Sequence, residues 1–184
     1  MNAVRRAPPK SPPAPLDREA LYQKAVRLLA RRSRSEAELR RLLGHSAAPG
    51  ALEPALARLR ELGYLDDRRF AASLALYARD VEKFGAERTR RELRRRGVAE
   101  PLAAPILAEL YPAQNEPALL RAWLEKKRLR PPRDARETAR LYRRLRLAGF
   151  ASPAIFAALR RWRLEPEWLD ALAEAEENMP DTTG

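Results

Sequence analysis

The sequence predicts an all-α protein, arranged as a tandem array of three three-helix repeats that is elongated and capable of curvature. Ala, Leu, Arg and Glu dominate its 184 residues, while Val, Ile and Thr are sparse and there are only seven glycines. That composition favours helices over sheets. Apolar residues recur at helical spacing in one segment after another. A third observation, an internal repeat, defines the array.

The first predicted repeat contains three helices. Ser35, with Glu38 three residues later, has the capping-box pattern that opens the second of them. Gly44 is its expected stop, and Gly63 stops the third helix, which has Pro54 in its first turn. The apolar stripes of these helices contain Leu21, Ala25, Leu28 and Leu29; then Leu39, Leu42 and Leu43; then Leu52, Leu56, Leu59 and Leu62.

The second repeat opens with a longer helix that Asp66 or Asp67 caps. Its predicted stripe is Phe70, Leu74, Tyr77 and Val81, with Tyr64 as a staple or core residue. A short helix then ends at Gly97. The next runs from Pro101 to Leu110, and Pro105 within it should introduce strain because proline removes a backbone hydrogen bond.

The third repeat begins with a helix that opens at Pro117 and carries Leu120, Trp123 and Leu124. Asp134, with Glu137 three residues on, caps the next helix, and Gly149 is its stop. A last helix opens at Pro153, and its apolar residues are Ile155, Phe156, Leu159 and Trp162.

The internal repeat sets the predicted boundaries. Residues 97–101 match residues 149–153 at an offset of 52, and Leu93 matches Leu145 at the same offset. Leu39, in a similar Glu-Leu-Arg-Arg context, indicates a first, more divergent copy. Units this small must pack on neighbours. The predicted repeats are residues 17–63, 64–112 and 113–164.

Both ends differ from this body in composition. Residues 1–16 hold five prolines and three positive charges, which predicts a disordered tail. Residues 165–184 carry seven acidic residues and no Lys or Arg. The residues between the two ends therefore have a formal net charge of +16, whereas the whole chain has +12. Trp168, Leu169 and Leu172 predict that the acidic segment starts as a docked helix, and its end should fray.

Several classes of function have little support. Cysteine is absent, which excludes disulfides and thiolate chemistry. There is no phosphate-binding glycine loop, His45 lies in a predicted loop, and Asp66-Asp67 is better explained as a helix cap than as a metal site. We therefore expect no catalytic residue, cofactor or metal. The start lacks the apolar stretch of a signal peptide and no segment approaches a membrane span, so we expect a cytoplasmic protein.

The positive charge forms a pattern on the predicted helices. If Leu93 is buried, Arg91 and Arg95 face the opposite side together with Arg88, and the third repeat places arginines at matching positions. Any one of them is explained as a solvated side chain. As a set with few interleaved acids, they favour binding a polyanion, either nucleic acid or an acidic protein groove. The candidate binding residues are Arg31, Arg32, Arg40, Arg41, Arg88, Arg91, Arg94, Arg95, Arg140, Arg143 and Arg144.

Three motifs in order resemble the RecX family of RecA regulators. They are residues 25–32 followed by Ser35 and Glu38-Leu39; residues 62–71; and Phe84-Gly85 followed by residues 91–98. The resemblance covers roughly residues 21–110. It implies an all-α fold of three-helix repeats and a non-enzymatic, cytoplasmic protein that lies in the groove of the RecA filament. It also implies restraint of recombinase, ATPase and coprotease activities in recombination, DNA repair and the SOS response.

Two functional hypotheses remain open from the sequence. The first is a monomer that binds the RecA–DNA filament and contacts single- and double-stranded DNA. The second is an independent helix-turn-helix DNA-binding protein, either a transcriptional regulator or a nucleoid component. The second predicts tight, salt-sensitive binding to duplex DNA without RecA. Neither hypothesis assigns a role to the Pro-rich and acidic ends.

Overall fold

Helices account for nearly all regular structure in the computed structural model, which describes residues 14–177 and, for Glu177, the backbone alone. This confirms the predicted all-α class. The helices are α1 (Arg18–Arg31), α2 (Glu36–Gly44), α3 (Leu52–Glu61), α4 (Asp67–Asp80), α5 (Ala86–Arg95), α6 (Glu100–Leu110), α7 (Glu116–Lys126), α8 (Ala135–Leu147), α9 (Ser152–Arg160) and α10 (Pro166–Glu177), with a 3₁₀ turn at Ala113–Asn115. None of the helices in this described part is long and apolar enough to cross a membrane.

The chain divides into two compact units, and the first ends at Asp66. Helices α1, α2 and α3 pack around leucines that are fully buried. Leu16 also belongs to this unit, because its N–H donates to the Ser46 carbonyl at 2.7 Å and its carbonyl accepts from the Ala48 N–H at 2.8 Å. The unit therefore begins before residue 17, where the sequence placed its start. The rest of the predicted tail, residues 1–13, lies outside the described residues. The buried leucines are Leu21, Leu39, Leu43, Leu56 and Leu59.

Helix capping follows the sequence pattern at Ser35 and Asp134 but not at Gly44. The Ser35 hydroxyl accepts from the Glu38 N–H at 3.1 Å, and the Glu38 carboxylate accepts from the Ser35 N–H at 3.3 Å, which confirms the capping box. Asp134 accepts from the Glu137 N–H at 2.6 Å, as predicted. Helix α2 does end at Gly44, as predicted, but Gly44 is its last helical residue rather than the residue beyond the cap, and His45 follows as the cap.

The second unit, from Asp67 onwards, contains two three-helix groups with separate cores. Leu93 in the α4–α6 group and Leu145 in the α7–α9 group are both fully buried. Four residues after each leucine stands a glycine in a left-handed conformation, Gly97 with φ 82° and Gly149 with φ 94°. The residue after each glycine donates its N–H back to the leucine carbonyl, at 3.0 Å and 3.2 Å. The two groups thus repeat the same local structure, as the 52-residue offset predicted.

Helix α4 buries a different face from the predicted one. Phe70 is buried, but Tyr77 is 58% exposed and Val81 is 48% exposed. The buried positions are instead Ala71, Ala75 and Ala78. Small side chains on α4 let α6 pack closely against it. This packing, rather than burial of the larger apolar residues, sets which face of α4 is buried.

Two further expectations about burial, at Tyr64 and Leu62, were wrong. Tyr64 is 52% exposed, and the neighbouring Leu65 is the residue that enters the core of the first unit. Leu62, predicted in the stripe of α3, is also exposed. Pro105 lies inside α6, yet the helix continues through it to Leu110. Because Pro105 is exposed, its ring is accommodated at the surface of the helix.

The two groups of the second unit meet end to end at Gly85 and Gly149. The N–H of Gly85 donates to the Ala148 carbonyl at 2.9 Å, and the N–H of Glu87 donates to the Gly149 carbonyl at 3.3 Å. The amino end of α5 thereby provides N–H donors for carbonyls at the carboxyl end of α8. Both sets of groups lack partners within their own helices. A Cβ atom on Gly85 would lie 2.8 Å from the Phe150 nitrogen, and one on Gly149 would lie 2.7 Å from the Arg88 Cβ. Only glycines allow this approach.

Helix α10 packs against the α7–α9 group, the third three-helix group of the chain, as its apolar residues predicted. Leu172 is buried in the core of that group and Leu169 packs against it. Glu176 accepts a hydrogen bond from the Ser152 hydroxyl, which also pairs with Tyr142 at 2.9 Å. Burial raises the pKa of the Tyr142 hydroxyl, and the Glu176 carboxylate adds to the shift. The predicted fraying of residues 178–184 falls outside the described residues.

Candidate polyanion-binding surface

Helix α5 presents the predicted arginines to solvent, but each also has a local contact. Arg88, Arg91 and Arg95 are exposed while Leu93 is buried. The Arg88 guanidinium lies 3.7 Å from the centre of the Phe84 ring. Nη2 of Arg91 donates to the Leu147 carbonyl, across the junction of the two groups, at 3.0 Å. These side chains therefore help to hold the second unit together as well as carrying surface charge.

The end of α5 combines a paired and an unpaired arginine. Arg95 donates to the Glu92 carboxylate at 2.9 Å and 2.7 Å, and Arg96 donates to it at 2.9 Å. Hydrogen bonding from Arg95 is the main reason that the pKa of Glu92 lies below its ordinary value. Among the described residues, the exposed Arg94 has no hydrogen bond or ion pair from its guanidinium. Arg94 is thus the freest predicted contact on this helix.

In the first unit, acidic neighbours compensate much of the predicted basic face. Arg40 pairs with Glu53 and, at 2.9 Å, with Glu36, and these hydrogen bonds raise the pKa of its guanidinium. Arg32 lies 3.6 Å from Glu38. The two remaining candidates here are exposed: Arg41 donates weakly to the carbonyl one turn back in its own helix, and Arg31 stands at the end of α1.

Helix α8 carries the least compensated of the predicted arginines. Arg140 and Arg143 are exposed, and within residues 14–177 neither guanidinium has an ion pair or hydrogen bond. Arg144 is also exposed, with its guanidinium 5.5 Å from the centre of the Trp123 ring. The structure thus separates the predicted set into residues that are mostly engaged, on α2 and α5, and residues that are free, namely Arg140 and Arg143 on α8 and Arg94 on α5.

The sequence interpretation missed a run of cations immediately before these arginines. Five of the ten residues 127–136 are Lys or Arg, and all five are exposed. The pattern is visible in the sequence, but a prediction based on helix faces does not include it because the run crosses the loop between α7 and α8. Together with Arg140 and Arg143 these residues form what we call the basic segment: Lys127, Arg128, Arg130, Arg133, Arg136, Arg140 and Arg143.

An open cleft of about 430 Å³ lies within the second unit, between its two three-helix groups. Tyr111 and Leu119 supply part of its apolar lining. Three of the charged groups around it are already engaged, since Arg79 pairs with Asp80 at 2.6 Å and the Glu116 carboxylate accepts from the Ala151 N–H at 2.7 Å. In the described part of the chain, no three His, Cys, Asp or Glu side chains come together in a way that could hold a metal ion.

These features define a class: an all-helical protein of three-helix groups whose free positive charge is concentrated around one helix and the loop before it. Comparison with known proteins gives the family. Residues 66–105 match the family model described as RecX, second three-helix domain. The match spans α4, α5 and the first half of α6.

Curated relatives extend the similarity over most of the chain. Regulatory protein RecX of Leptothrix cholodnii is 35% identical over 142 residues, covering 77% of this chain and 88% of the relative. Regulatory protein RecX of a Thermus thermophilus strain is 36% identical over 143 residues, covering 78% and 90%. The chain therefore belongs to the RecX family, which confirms the resemblance of its three motifs. These relatives are named as regulatory proteins rather than as enzymes.

Solved structures support the same fold. A crystal structure of regulatory protein RecX superposes with a TM-score of 0.68 and 22% identity, covering 78% of this chain and 73% of that one. The crystal structure of RecX from Lactobacillus salivarius gives a TM-score of 0.61 at 15% identity, covering 80% and 97%. At these identities the comparison bears on the fold.

Proposed function

We propose that this protein is a non-enzymatic regulator that binds the RecA–DNA filament and inhibits its recombinase, ATPase and coprotease activities. Membership of the RecX family is the observation that carries the proposal. The exposed arginines supply a physical basis for it, because a filament of protein on DNA offers phosphates and carboxylates, both of which guanidinium groups bind through paired hydrogen bonds.

The eleven predicted arginines are not equivalent as contacts in this proposal. Arg140, Arg143 and Arg94 are exposed and free in the described structure, so a filament can engage them without breaking an existing bond. Arg40 and Arg95 would have to leave carboxylates to which they are already bound. Arg91 also holds the Leu147 carbonyl, so its replacement would affect both folding and binding.

The proposal predicts that the protein, titrated into RecA with single-stranded DNA, lowers RecA ATPase and strand exchange at or below stoichiometric amounts. Replacing Arg140 and Arg143 by Glu removes two free charges and introduces repulsion. We expect at least a tenfold rise in the amount of protein needed for half inhibition, a change equivalent to about 1.4 kcal/mol.

The matched control for this experiment reverses Arg27 and Arg121. Within the described residues both side chains are exposed and donate only to carbonyls of their own helices, at 3.2 Å and 3.4 Å. This control should inhibit RecA as the unmodified protein does. Unchanged ATPase and strand exchange at stoichiometric amounts of the unmodified protein contradict the proposal. Tight duplex binding without any effect on RecA would favour the independent DNA-binding alternative.

A further inference from the structure

We propose that the basic segment binds the sugar-phosphate backbone of nucleic acid directly and without reading its bases. In the filament proposed above, the loop before α8 and α8 itself would contact the DNA rather than RecA. For that biological setting the inference rests on the proposed function. The contact itself needs no RecA, so it can be tested on its own.

The cations of the basic segment outnumber the acids within its span, and the structure shows why they are not paired with those acids. Two acids, Asp134 and Glu137, lie within its span. Asp134 accepts from the Glu137 N–H at 2.6 Å, and Glu137 accepts from the Arg133 N–H at 3.0 Å. Both carboxylates are thus engaged in capping α8. In the described structure, none of the seven cationic side chains of the basic segment forms an ion pair.

Other arginine-rich stretches of the protein differ in this respect. Arg90 pairs with Glu87 and with Glu100, and Arg58 pairs with Glu19 at 2.6 Å. Exposed pairs of this kind contribute little to stability, but they lower the local positive potential. Within the described residues the cations of the basic segment have no such pairs, so the segment keeps a net charge of +5 across residues 127–143, and a polyanion is the partner that such a charge attracts.

The arrangement of the cations suits a chain of phosphates. Arg136, Arg140 and Arg143 follow the helical spacing of one face of α8, opposite the buried Leu141 and Leu145. From first to last they span about 10 Å along the helix axis, at roughly 1.5 Å per residue. Phosphates of one DNA strand are spaced about 3.4 Å apart along the duplex axis, so the stripe covers on the order of three nucleotides. The loop cations extend the same charge before the helix.

The basic segment exposes no aromatic or large apolar side chain, and this favours nucleic acid over protein as its partner. Across residues 127–143, the aromatic residue Tyr142 is buried, and the large apolar residues Leu129, Leu141 and Tyr142 are all at least partly buried. Protein interfaces rely on aromatic and apolar anchors at their centre, and base recognition in single strands relies on aromatic stacking. A surface of Lys and Arg alone fits phosphate contacts, which position nucleic acid without reading its sequence.

The test measures binding of the full-length protein to fluorescein-labelled oligothymidine by anisotropy over a range of salt concentrations, without RecA. The variant carries Arg130→Gln, Arg136→Gln and Arg143→Gln. We expect affinity to fall at least tenfold at low salt. We also expect the slope of log affinity against log salt to become shallower by about 2, since each phosphate contact to a single strand contributes about 0.7.

Two comparison variants distinguish the effect of local phosphate contacts from the effects of net charge and of impaired folding. Arg27→Gln, Arg68→Gln and Arg121→Gln together remove the same charge at exposed positions elsewhere and should change affinity less than threefold. Arg130→Lys, Arg136→Lys and Arg143→Lys together keep the charge and should retain binding within about threefold. An abasic oligonucleotide of equal length should bind within about twofold of oligothymidine.

The inference is overturned if the glutamine variant binds like its matched control, if lysine fails to restore binding, or if removal of the bases abolishes binding. It is also overturned if the unmodified protein does not bind oligothymidine at low salt. Each of these failures leaves inhibition of RecA by direct protein contact possible. Conversely, an absence of any effect on RecA ATPase would remove the proposed function while leaving a measured phosphate contact intact.

Discussion

Replacing Gly85 by alanine is expected to lower the free energy of unfolding of the second unit by about 3 kcal/mol, the upper end of the usual range for overpacking. The backbone of Gly85 has φ −73°, so the conformation itself suits alanine. The cost comes from the added Cβ, which would lie 2.8 Å from the Phe150 nitrogen and closer still to the Gly149 carbonyl. Backbone atoms cannot rotate away, so the junction of α5 and α8 must open.

Tryptophan fluorescence during urea unfolding measures this effect selectively, because all three tryptophans, Trp123, Trp162 and Trp168, lie in the second unit. The control is Gly44→Ala, where an added Cβ meets nothing within 4 Å. Far-UV circular dichroism should show that this control is neutral or stabilised by about 0.5 kcal/mol, as expected for alanine in place of a helical glycine. Equal tryptophan transitions for the two variants would contradict the tight junction.

Replacing Phe150 by alanine should cost about 3–5 kcal/mol, because it empties the space of a large aromatic side chain in a packed core. Phe150 is fully buried and meets Trp123 edge to face, with ring centres 6.2 Å apart. It also follows Gly149, so the same turn fixes both the core of the third group and the junction with the second. We expect a lower unfolding midpoint and a loss of the near-UV signal of Trp123.

The control for this prediction is Leu147→Ala, three residues away at the end of α8. Leu147 is 67% exposed, so its truncation should change stability by no more than about 0.5 kcal/mol. The backbone carbonyl that binds Arg91 is unaffected by this change. A Phe150 variant as stable as the Leu147 variant would show that the third group does not depend on this core.

Local features of the fold could be predicted from the sequence because their causes are local. The capping box at Ser35 depends on residues three apart, and the stops at Gly97 and Gly149 depend on a backbone conformation that glycine tolerates. The exposure of Tyr77 could not be predicted, since it depends on which face of α4 receives α6. Hydrophobic periodicity does not distinguish a face of alanines packed closely from a stripe of larger residues.

The candidate site likewise has features that local sequence predicts and features that depend on tertiary packing. Exposure of Arg91 and Arg143 follows from the position of the buried leucine on each helix. Their different environments do not, because the Leu147 carbonyl that holds Arg91 lies 56 residues further along the chain. Two matching arginines in a repeat therefore have different roles: one joins the groups and the other is free. The basic segment was detectable as composition, but its lack of ion pairs among the described residues depends on the engagement of the Asp134 and Glu137 carboxylates with backbone N–H groups.

This division of roles gives a physical account of an arginine-rich surface. On α2 and α5 most of the predicted arginines bind carboxylates, a ring or a carbonyl of the protein itself, and Arg94 is the exception on α5. On α8, Arg140 and Arg143 remain available to a partner. Under the proposed function, the engaged arginines of α5 mainly maintain the second unit, which presents the basic segment to the filament.

Co-sedimentation with preformed RecA–DNA filaments tests the central claim most directly. The protein is mixed with filaments, with naked DNA or with RecA alone at physiological salt, and the pellets are compared. The account predicts that the protein sediments with the filaments at well below the concentration needed on naked DNA, and that Arg140→Glu with Arg143→Glu weakens this at least tenfold. Protein that stays in the supernatant with filaments, or that sediments with naked DNA equally well, would contradict it.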